Sequence, residues 1–347
     1  MKRATFMRMM PGLAVIAAIA VVTLFSSLGP EPVARAAGGG SLTPVRFNMS
    51  WLPQGSMAGV FVAMDRGYYA DAGLRVEAMR GFGGTRTVNE LDRGMFEFGY
   101  VDPFTVAINR AAGGHARMVG GINMRFPAGA CFVRERHRIE TPVDLAGLTF
   151  GAGLNSAVQT LLPAWLEKNG VDPAHVRQIQ LDPAVVVAAL IEGKVDAAEC
   201  WLGNSMALFQ KRAKAAGVTI GRIDYADFGF DVYGSGIATR DALIARDPAL
   251  VGGFLAATYR GYADAARDPD AALVVMRQHF PVLDAAVTRQ QITETTRLMA
   301  AGGGTHRFDP TRIERTIQFL KAAGRPGGAL PAGALFTNDY LAEKAVQ

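Results

Sequence analysis

The sequence has few of the residues that metal and catalytic sites use. Its 347 residues include only two cysteines and five histidines. Metal sites need ligands at short, regular spacings, and no two histidines stand at such a spacing. We therefore interpret the histidines as surface or capping residues and expect neither a metal nor a cofactor. They are His115, His137, His175, His279 and His306.

The motifs of common enzyme families are also missing. The sequence has no phosphate-binding G-x-x-x-x-G-K, no zinc-binding H-E-x-x-H and no nucleophile motif G-x-S-x-G. The stretch "GAGLNSA" (151–157) imitates the dinucleotide-binding fingerprint, but Ser156 stands where the third glycine belongs. These absences predict a binding protein rather than an enzyme.

The chain has little excess of positive over negative charge once residues 1–36 are set aside. The whole chain has 36 basic and 31 acidic residues, a net charge of +5. Residues 1–36 contain four of the basic residues and one of the acidic residues, so the remainder carries +2. A nearly neutral chain offers no electrostatic basis for binding nucleic acid.

Residues 1–36 have the pattern of a secretory signal peptide. A basic start, "MKR", precedes an apolar run at 12–29, and small residues follow at Ala34 and Ala36. We expect cleavage after Ala36 and a protein in the periplasm. No cysteine follows the apolar run, which argues against a lipid anchor. The alternative is an uncleaved membrane anchor, because the run is close to the length that spans a bilayer.

Predicted strands and helices alternate along the rest of the chain. Apolar strands such as "VRFNMS" (45–50), "FEFGYV" (96–101) and "LTFGAG" (148–153) are each followed by a helical pattern, the first one over 57–70. Further helices are predicted over 84–93 and 204–216. Such alternation predicts an α/β fold with mainly parallel strands and helices on both faces of each sheet. The length fits two domains of about 100–200 residues each.

Five strand-to-helix loops are rich in glycine, aromatic rings and amides. In parallel sheets these loops meet at the carboxyl ends of the strands, where ligands bind. Rings can stack on a ligand, and polar groups near helix N-termini can hydrogen-bond to it. Ordinary turn chemistry explains any single loop, but the five together predict a binding surface. Its residues are Trp51, Gln54, Phe82, Gly83, Thr85, Tyr100, Asp102, Asn155, Ser156, Trp201 and Asn204, with Tyr233 on a later strand.

Several segments resemble one family of periplasmic solute-binding proteins of ABC importers, the nitrate/sulfonate/taurine and thiamin-precursor (NMT1/THI5-like) group. "SWLPQGSMAGVFVAMDRGYYADAGLRVE" resembles the opening strand, turn and helix of that family. "TPVDLAGLTFG" and "ALIEGKVDAAECW" resemble two of its later blocks, and "FDVYGSGIATRDAL" resembles its return strand. The resemblance extends from residue 44 to residue 280, which is most of the chain after the signal segment.

The resemblance implies a two-lobed fold of the type II binding-protein class. Lobe 1 would comprise 41–127 and 234–347, and lobe 2 would comprise 128–233. Two crossover strands, near 124–134 and 231–239, would join the lobes, which would close over a solute bound between them. The implied partners are the permease and ATPase subunits of an importer, and the binding protein itself would be a monomer.

The resemblance leaves two classes of solute open. The thiamin-precursor branch holds a pyrimidine with aromatic rings and reads its amino groups with carboxylates. This chain has the rings, but it reads "GNS" at 203–205 where that branch tends to carry an acidic residue, so Asp102 or Glu199 would take this role. The sulfonate branch binds an anion at helix N-termini, which Gly83 and Ser156 suit, although no lysine lies in the loops. We expect a flat heteroaromatic solute, with a sulfonate or carboxylate anion as the alternative.

Two functions of other classes use the same fold. A pyrimidine-synthase-like enzyme of this fold carries a cysteine cluster, which is absent from this sequence. A sensor built on a solute-binding fold would show the same sequence pattern as a transport protein. Neighbouring genes for a permease and an ATPase, or for a sensor kinase, would distinguish the last two.

The two cysteines leave their redox state open. Both Cys131 and Cys200 lie in predicted strands of lobe 2. Export favours a disulfide between them, because the periplasm is oxidising. Two buried free thiols are the alternative, since free cysteine is among the most buried residue types.

Overall fold

The computed structural model describes residues 41–154 and 156–341, so the predicted signal segment and Asn155 lie outside the described residues. Among the helices of the described part, none is long and apolar enough to cross a membrane. The described residues form ten strands and twelve α-helices. The strands are β1 (Thr43–Asn48), β2 (Leu74–Met79), β3 (Phe98–Val101), β4 (Ala116–Gly121), β5 (Ala128–Val133), β6 (Thr149–Gly153), β7 (Arg177–Leu181), β8 (Ala197–Trp201), β9 (Ile220–Asp224) and β10 (Gly236–Arg240). The helices are α1 (Ala58–Asp65), α2 (Tyr68–Asp71), α3 (Gly84–Asp92), α4 (Pro103–Ala111), α5 (Ala157–Lys168), α6 (Val186–Ile191), α7 (Ser205–Ala216), α8 (Asp241–Arg246), α9 (Pro248–Arg267), α10 (Pro269–His279), α11 (Ala285–Ala300) and α12 (Pro310–Ala322).

The strands form two five-stranded sheets that share one plan. The first sheet has the order β2-β1-β3-β10-β4, and the second has the order β7-β6-β8-β5-β9. In the first, β1 is parallel to β2 and β3, while β10 is antiparallel to β3 and β4. In the second, β6 is parallel to β7 and β8, while β5 is antiparallel to β8 and β9. The predicted α/β class is confirmed, and each sheet contains one reversed strand.

The helix predicted over residues 57–70 is interrupted. A short 3-10 turn, Gly55–Met57, comes first, and α1 and α2 follow as separate helices. Gly67 lies between them with a φ of 73°, a left-handed conformation that glycine adopts without a steric penalty. The expectation of one continuous helix is therefore wrong at Gly67.

Helices α1 and α9 pack closely beside the first sheet. A Cβ atom on Gly59 would lie 2.2 Å from the Tyr262 ring, and one on Gly261 would lie 2.0 Å from the Gly59 carbonyl oxygen. A larger residue at either position would therefore push the helices apart. Phe254 of α9 stacks on Phe98 of β3, with ring centroids 3.9 Å apart. These contacts attach α9, which lies in the last third of the chain, to α1 and β3, which lie near its beginning.

The chain passes between the sheets twice, through residues 122–127 and 225–235. The first passage comes earlier than the predicted crossover at 124–134, because residues 128–133 already belong to the second sheet as β5. The strand registers place both passages at carboxyl edges. Gly121, the last residue of β4, and Gly236, the first residue of β10, lie opposite each other, and Gly236 also pairs with Val101, the last residue of β3. In the second sheet Ala128 lies opposite Trp201, the end of β8. The carboxyl edges of both sheets therefore flank the passages.

A disulfide joins two antiparallel neighbours of the second sheet. Cys131 of β5 and Cys200 of β8 are bonded, with Cα atoms 5.8 Å apart. Both residues are fully buried. Of the two redox states that the sequence leaves open, the structure contains the bonded one.

Candidate functional site

The turns after β1 and β2 are held together by backbone hydrogen bonds. The Gly81 amide donates to the Trp51 carbonyl at 3.1 Å, and the Gly83 amide donates to the Ser50 carbonyl at 2.7 Å. A Cβ atom on Gly81 would lie 2.4 Å from the Asn48 side-chain oxygen, so this approach requires glycine. The two turns therefore form one surface at the carboxyl edge of the first sheet.

A polar network around the buried residues Asn48, Thr87 and Glu90 supports this surface. The Asn48 amide donates to Glu90 at 2.7 Å, and Glu90 also accepts from Nε of Arg86 at 2.7 Å. The Thr87 hydroxyl lies 3.2 Å from the Asn48 side-chain oxygen and 3.3 Å from the Ser50 hydroxyl. Sequence reasoning missed this network. The available signal was Asn48 itself, a polar residue near the end of an apolar strand.

Two aromatic side chains of this surface are open to solvent. Trp51 is 39% exposed and Phe82 is 56% exposed. The guanidinium carbons of Arg80 and Arg86 lie 4.4 and 4.5 Å from the Phe82 ring centroid, which is a cation–π arrangement. The Trp51 ring is thus available for stacking, whereas the Phe82 ring already carries two cationic neighbours.

Three further predicted residues lie beside these rings. Gln54 is half-buried at the end of the first turn, and Thr85 is exposed in the first turn of α3. Gly83 precedes α3 with a φ of 104°, a conformation that residues with a Cβ rarely adopt. The structure therefore brings Trp51, Gln54, Phe82, Gly83 and Thr85 to one edge of the first sheet.

Tyr100 and Asp102 stand at the end of β3, next to that surface. Tyr100 is buried, its hydroxyl accepts from the Asn123 amide at 3.0 Å, and burial raises the pKa of the phenol. The Asp102 carboxylate caps α4, since it accepts from the Thr105 amide at 2.9 Å and from the Thr105 hydroxyl at 2.8 Å. Burial raises the pKa of Asp102 against these bonds. Both side chains are thus engaged locally, and each keeps further acceptor capacity.

Glu199 is the buried acid of the second sheet. Its carboxylate accepts from the Gly153 amide at 2.7 Å and from the Ser156 hydroxyl. Burial raises the pKa of Glu199 above its ordinary value. These bonds hold the end of β6 and the start of α5 beside β8. Ser156 therefore lies just beyond the carboxyl end of β6, and the neighbouring Asn155 lies outside the described residues.

Trp201 ends β8 and packs on a residue of the first passage between the sheets. Its ring meets the Phe126 ring edge-on, with centroids 5.6 Å apart. Trp201 is half-buried. Asn204, three residues later in the same loop, is half-buried as well. Trp201 is thus held at the carboxyl edge of the second sheet, next to the passage.

Helix α11 connects the two groups of loops. The Gln291 side-chain oxygen accepts from the Gly55 amide at 2.9 Å, and its NH₂ group donates to the Asn204 carbonyl at 2.9 Å. Gly55 follows the Trp51 turn directly, so one side chain spans from that turn to the Trp201–Asn204 loop. Sequence reasoning missed Gln291, because no local pattern marks a contact between residues so far apart in the chain.

Three further residues lie apart from this group. Tyr233 is buried, its hydroxyl accepts from the Asp309 amide at 2.8 Å, and the Arg312 guanidinium lies 4.0 Å from its ring centroid. Trp165 is 1% exposed, in the core. His137 is half-buried, and its Nε2 lies 3.1 Å from the Asp196 carboxylate.

His306 contradicts the expectation that every histidine lies at the surface or caps a helix. It is buried, its ring stacks on Tyr259 with centroids 3.8 Å apart, and its Nδ1 has no hydrogen-bond partner within the described residues. Burial lowers its pKa to about 4. The glycine-rich stretch before it made a surface position the reasonable expectation, but the backbone there folds inward and its carbonyl accepts from the Gly121 amide at 2.8 Å.

Comparison with known proteins gives a family and a curated relative. The family model described as NMT1/THI5 like matches residues 54–272. The riboflavin-binding protein RibY of Chloroflexus aurantiacus is 28% identical over 313 residues, which cover 87% of each chain. The expected family resemblance is confirmed over most of the described sequence.

Solved structures show the same fold at low sequence identity. The ligand-binding component of an ABC-type import system from Staphylococcus aureus, with zinc bound, has a TM-score of 0.65 at 13% identity, covering 86% of this chain and 97% of that one. The periplasmic aliphatic sulphonate binding protein SsuA from Escherichia coli has a TM-score of 0.61 at 17% identity, covering 73% and 83%. In the part of the chain described here, no group of three or more potential metal ligands is present. The fold is therefore that of importer binding proteins.

Proposed function

This chain belongs to the NMT1/THI5-like family, and we propose that it captures a flat heteroaromatic solute outside the cytoplasm for an ABC importer. The fold of an importer binding protein supports the general role. The observation that carries the finer proposal is the placement of Trp51 and Trp201. They stand at the carboxyl edges of different sheets, in loops that Gln291 links.

We propose that the solute binds between two lobes that close over it. Lobe 1 comprises 41–127 and 234–347, and lobe 2 comprises 128–233. The two passages between the sheets are then the hinges, since a few residues in connecting segments can absorb a rigid-body rotation. The position of both passages at carboxyl edges supports this arrangement, because the predicted loops flank them.

Stacking on rings and hydrogen bonding to acids account for the choice of solute. An indole face binds a flat ring by burial and by favourable aromatic geometry, worth about 0.5–1.5 kcal/mol beyond the area buried. Asp102 and Glu199 can accept from amino or imino groups of a heteroaromatic ring with the lone pairs that their own chain leaves unused. A thiamin-pyrimidine-like ring has this chemistry. The riboflavin-binding relative is compatible with a flat heteroaromatic solute. Riboflavin, which has a larger flat ring, is therefore a second test solute.

A sulfonate or carboxylate anion is the alternative solute. The observation in its favour is the pair of guanidinium groups, from Arg80 and Arg86, that lie over Phe82 beside the start of α3. Arg86 is already paired with Glu90, with 2.7 Å between Nε and the carboxylate. That pairing weakens the case for an anion, because one of the two cations is partly neutralised.

The test is a direct search for the solute. Mass spectrometry of ligand released from protein purified from the periplasm should identify a flat heteroaromatic compound. Thermal-shift titration should then show a rise in melting temperature with riboflavin or an aminopyrimidine and none with taurine, because a ligand that binds only the folded chain stabilises it. A rise with taurine alone would support the anion instead. Recovery of a chemically altered compound would support the pyrimidine-synthase-like alternative.

The proposed partners follow from the importer role. A membrane permease and an ATPase would receive the solute from a monomeric binding protein. Capture by a permease encoded beside this gene, dependent on solute, would support transport. A sensor kinase in that position, with no permease, would support signalling.

A further inference from the structure

The contact between α11 and the Trp201–Asn204 loop has more than one component. In addition to the Gln291 bonds, the Glu294 carboxylate accepts from the Gly203 amide at 2.7 Å. Gly203 has a φ of 73°, and a Cβ atom on it would lie 2.5 Å from the Thr295 hydroxyl. Any residue but glycine would therefore be strained in conformation and would press against α11. The loop and the helix fit each other closely.

The same contact continues along α7. Lys211 of α7 pairs with Asp284, which caps α11, and Gln210 of α7 accepts from the Gln290 side chain. These two pairs are exposed and contribute little on their own. The Gln291 bridge differs from them because Gln291 is only 7% exposed: its bond to Gly55 is buried and its bond to Asn204 is partly buried.

We propose that Gln291 is a positioning residue for the solute, and this inference rests on the proposed function. Its side chain is hydrogen-bonded both to the turn that carries Trp51 and to the loop that carries Trp201. Opening the lobes would separate Gly55 from Asn204 and break at least one of its two bonds. The bridge therefore favours the closed arrangement before any solute arrives, and a pre-closed site binds more tightly because less of the binding free energy is used for closure.

Two substitutions test the bridge in different ways. Gln291→Met keeps the length of the side chain and removes both hydrogen bonds. Gln291→Glu keeps the acceptor for the Gly55 amide but places a carboxylate oxygen against the Asn204 carbonyl. Gln278→Glu is the matched control, because Gln278 is an exposed residue on the neighbouring helix α10.

The first measurement needs no solute. Solution X-ray scattering of the unliganded proteins should give a larger radius of gyration for both Gln291 variants than for the wild type and Gln278→Glu. The second measurement is the affinity for riboflavin by calorimetry, which should fall about tenfold for both variants, as expected for the loss of the hydrogen bond to the Asn204 carbonyl, which neither variant can make. Thermal unfolding shows whether each variant is folded.

The outcomes separate this inference from the proposed function. Equal radii of gyration without solute would overturn the bridge, even if riboflavin binds the wild type. A lower melting temperature with unchanged radius and affinity would also overturn it, since that is the behaviour of a purely structural residue. If the wild type binds no heteroaromatic compound, the proposed function fails, and the scattering comparison still decides the role of Gln291.

Discussion

At the scale of single residues, Trp51 and Trp201 are the side chains whose removal tests the site most directly. We expect Trp51→Ala and Trp201→Ala each to weaken solute binding about tenfold, because each loses a stacking surface. His137→Ala is the control. His137 follows the end of β5, and β5 runs antiparallel to β8 with Ala128 opposite Trp201, so His137 lies beyond the other edge of the sheet. Equal affinities in all three variants, measured by calorimetry, would place the site elsewhere.

His306 predicts a dependence of stability on pH. Burial lowers its pKa from 6.5 to about 4, so between these values the unfolded chain binds a proton that the folded chain does not. The stability that neutral His306 gives to the folded state is fully present above pH 6.5, and it is lost as the pH falls towards 4. The full effect corresponds to about 3 kcal/mol.

The matched variant is His306→Asn, because asparagine tolerates the left-handed φ of 54° at this position. At pH 7.5 the variant should be less stable than the wild type, since it loses the stacking on Tyr259. The difference should shrink by about 2 kcal/mol at pH 4.5, because only the wild type loses stability through this residue. Urea unfolding at the two pH values checks this, and a constant difference would mean that His306 titrates normally.

At the scale of elements, the disulfide between β5 and β8 predicts a large contribution to stability. The bond closes a loop with a sequence separation of 69 residues, for which the chain-entropy estimate is about 4 kcal/mol. The variant Cys131→Ala/Cys200→Ala should therefore unfold at a lower denaturant concentration than the wild type. Thiol titration of the wild type in denaturant without reductant should find no free thiol. Two free thiols would show that the bond does not form in the protein.

Elements and site residues differed in how far they could be predicted from the sequence. The helices predicted over 84–93 and 204–216 match α3 and α7 to within a residue, because glycines and polar caps mark their ends locally. The Trp51 and Trp201 loops could be placed at carboxyl edges because parallel strands impose that geometry. The roles of Gln291 and Glu294 could not be predicted, because no sequence motif marks α11 and its partners lie in loops far away in the chain.

At the scale of the whole molecule, the proposed closure of the two lobes predicts a change in fluorescence. The described residues contain Trp51, Trp165 and Trp201, and only Trp165 is buried in the core, where its indole donates to the carbonyls of Tyr225 and Phe228. Solute should change the emission saturably, and most of the change should vanish in the Trp51→Phe/Trp201→Phe variant. Trp165→Phe should retain it.

The same closure should make the protein more compact without changing its secondary structure. We expect a smaller radius of gyration on addition of solute, with a larger decrease in the Gln291 variants than in the wild type that the bridge already holds towards closure. The circular dichroism spectrum should not change, since lobes that rotate as rigid bodies keep their helices and strands. A fluorescence change that depends on Trp165 alone would place the solute near the core of the second sheet instead.

The position of β10 also bears on how the chain reaches its folded state. β10 lies between β3 and β4, yet it is made only after the whole of the second sheet. Until β10 is made, no strand connects β3 to β4. The strands of the second sheet, in contrast, follow one another in sequence and can pair early. Contacts between distant parts of a chain form slowly, because the connecting segment must first be ordered. The first sheet therefore completes only after the second sheet and β10 have been made, so the part of the chain in which the fold begins is the last part to be stabilised.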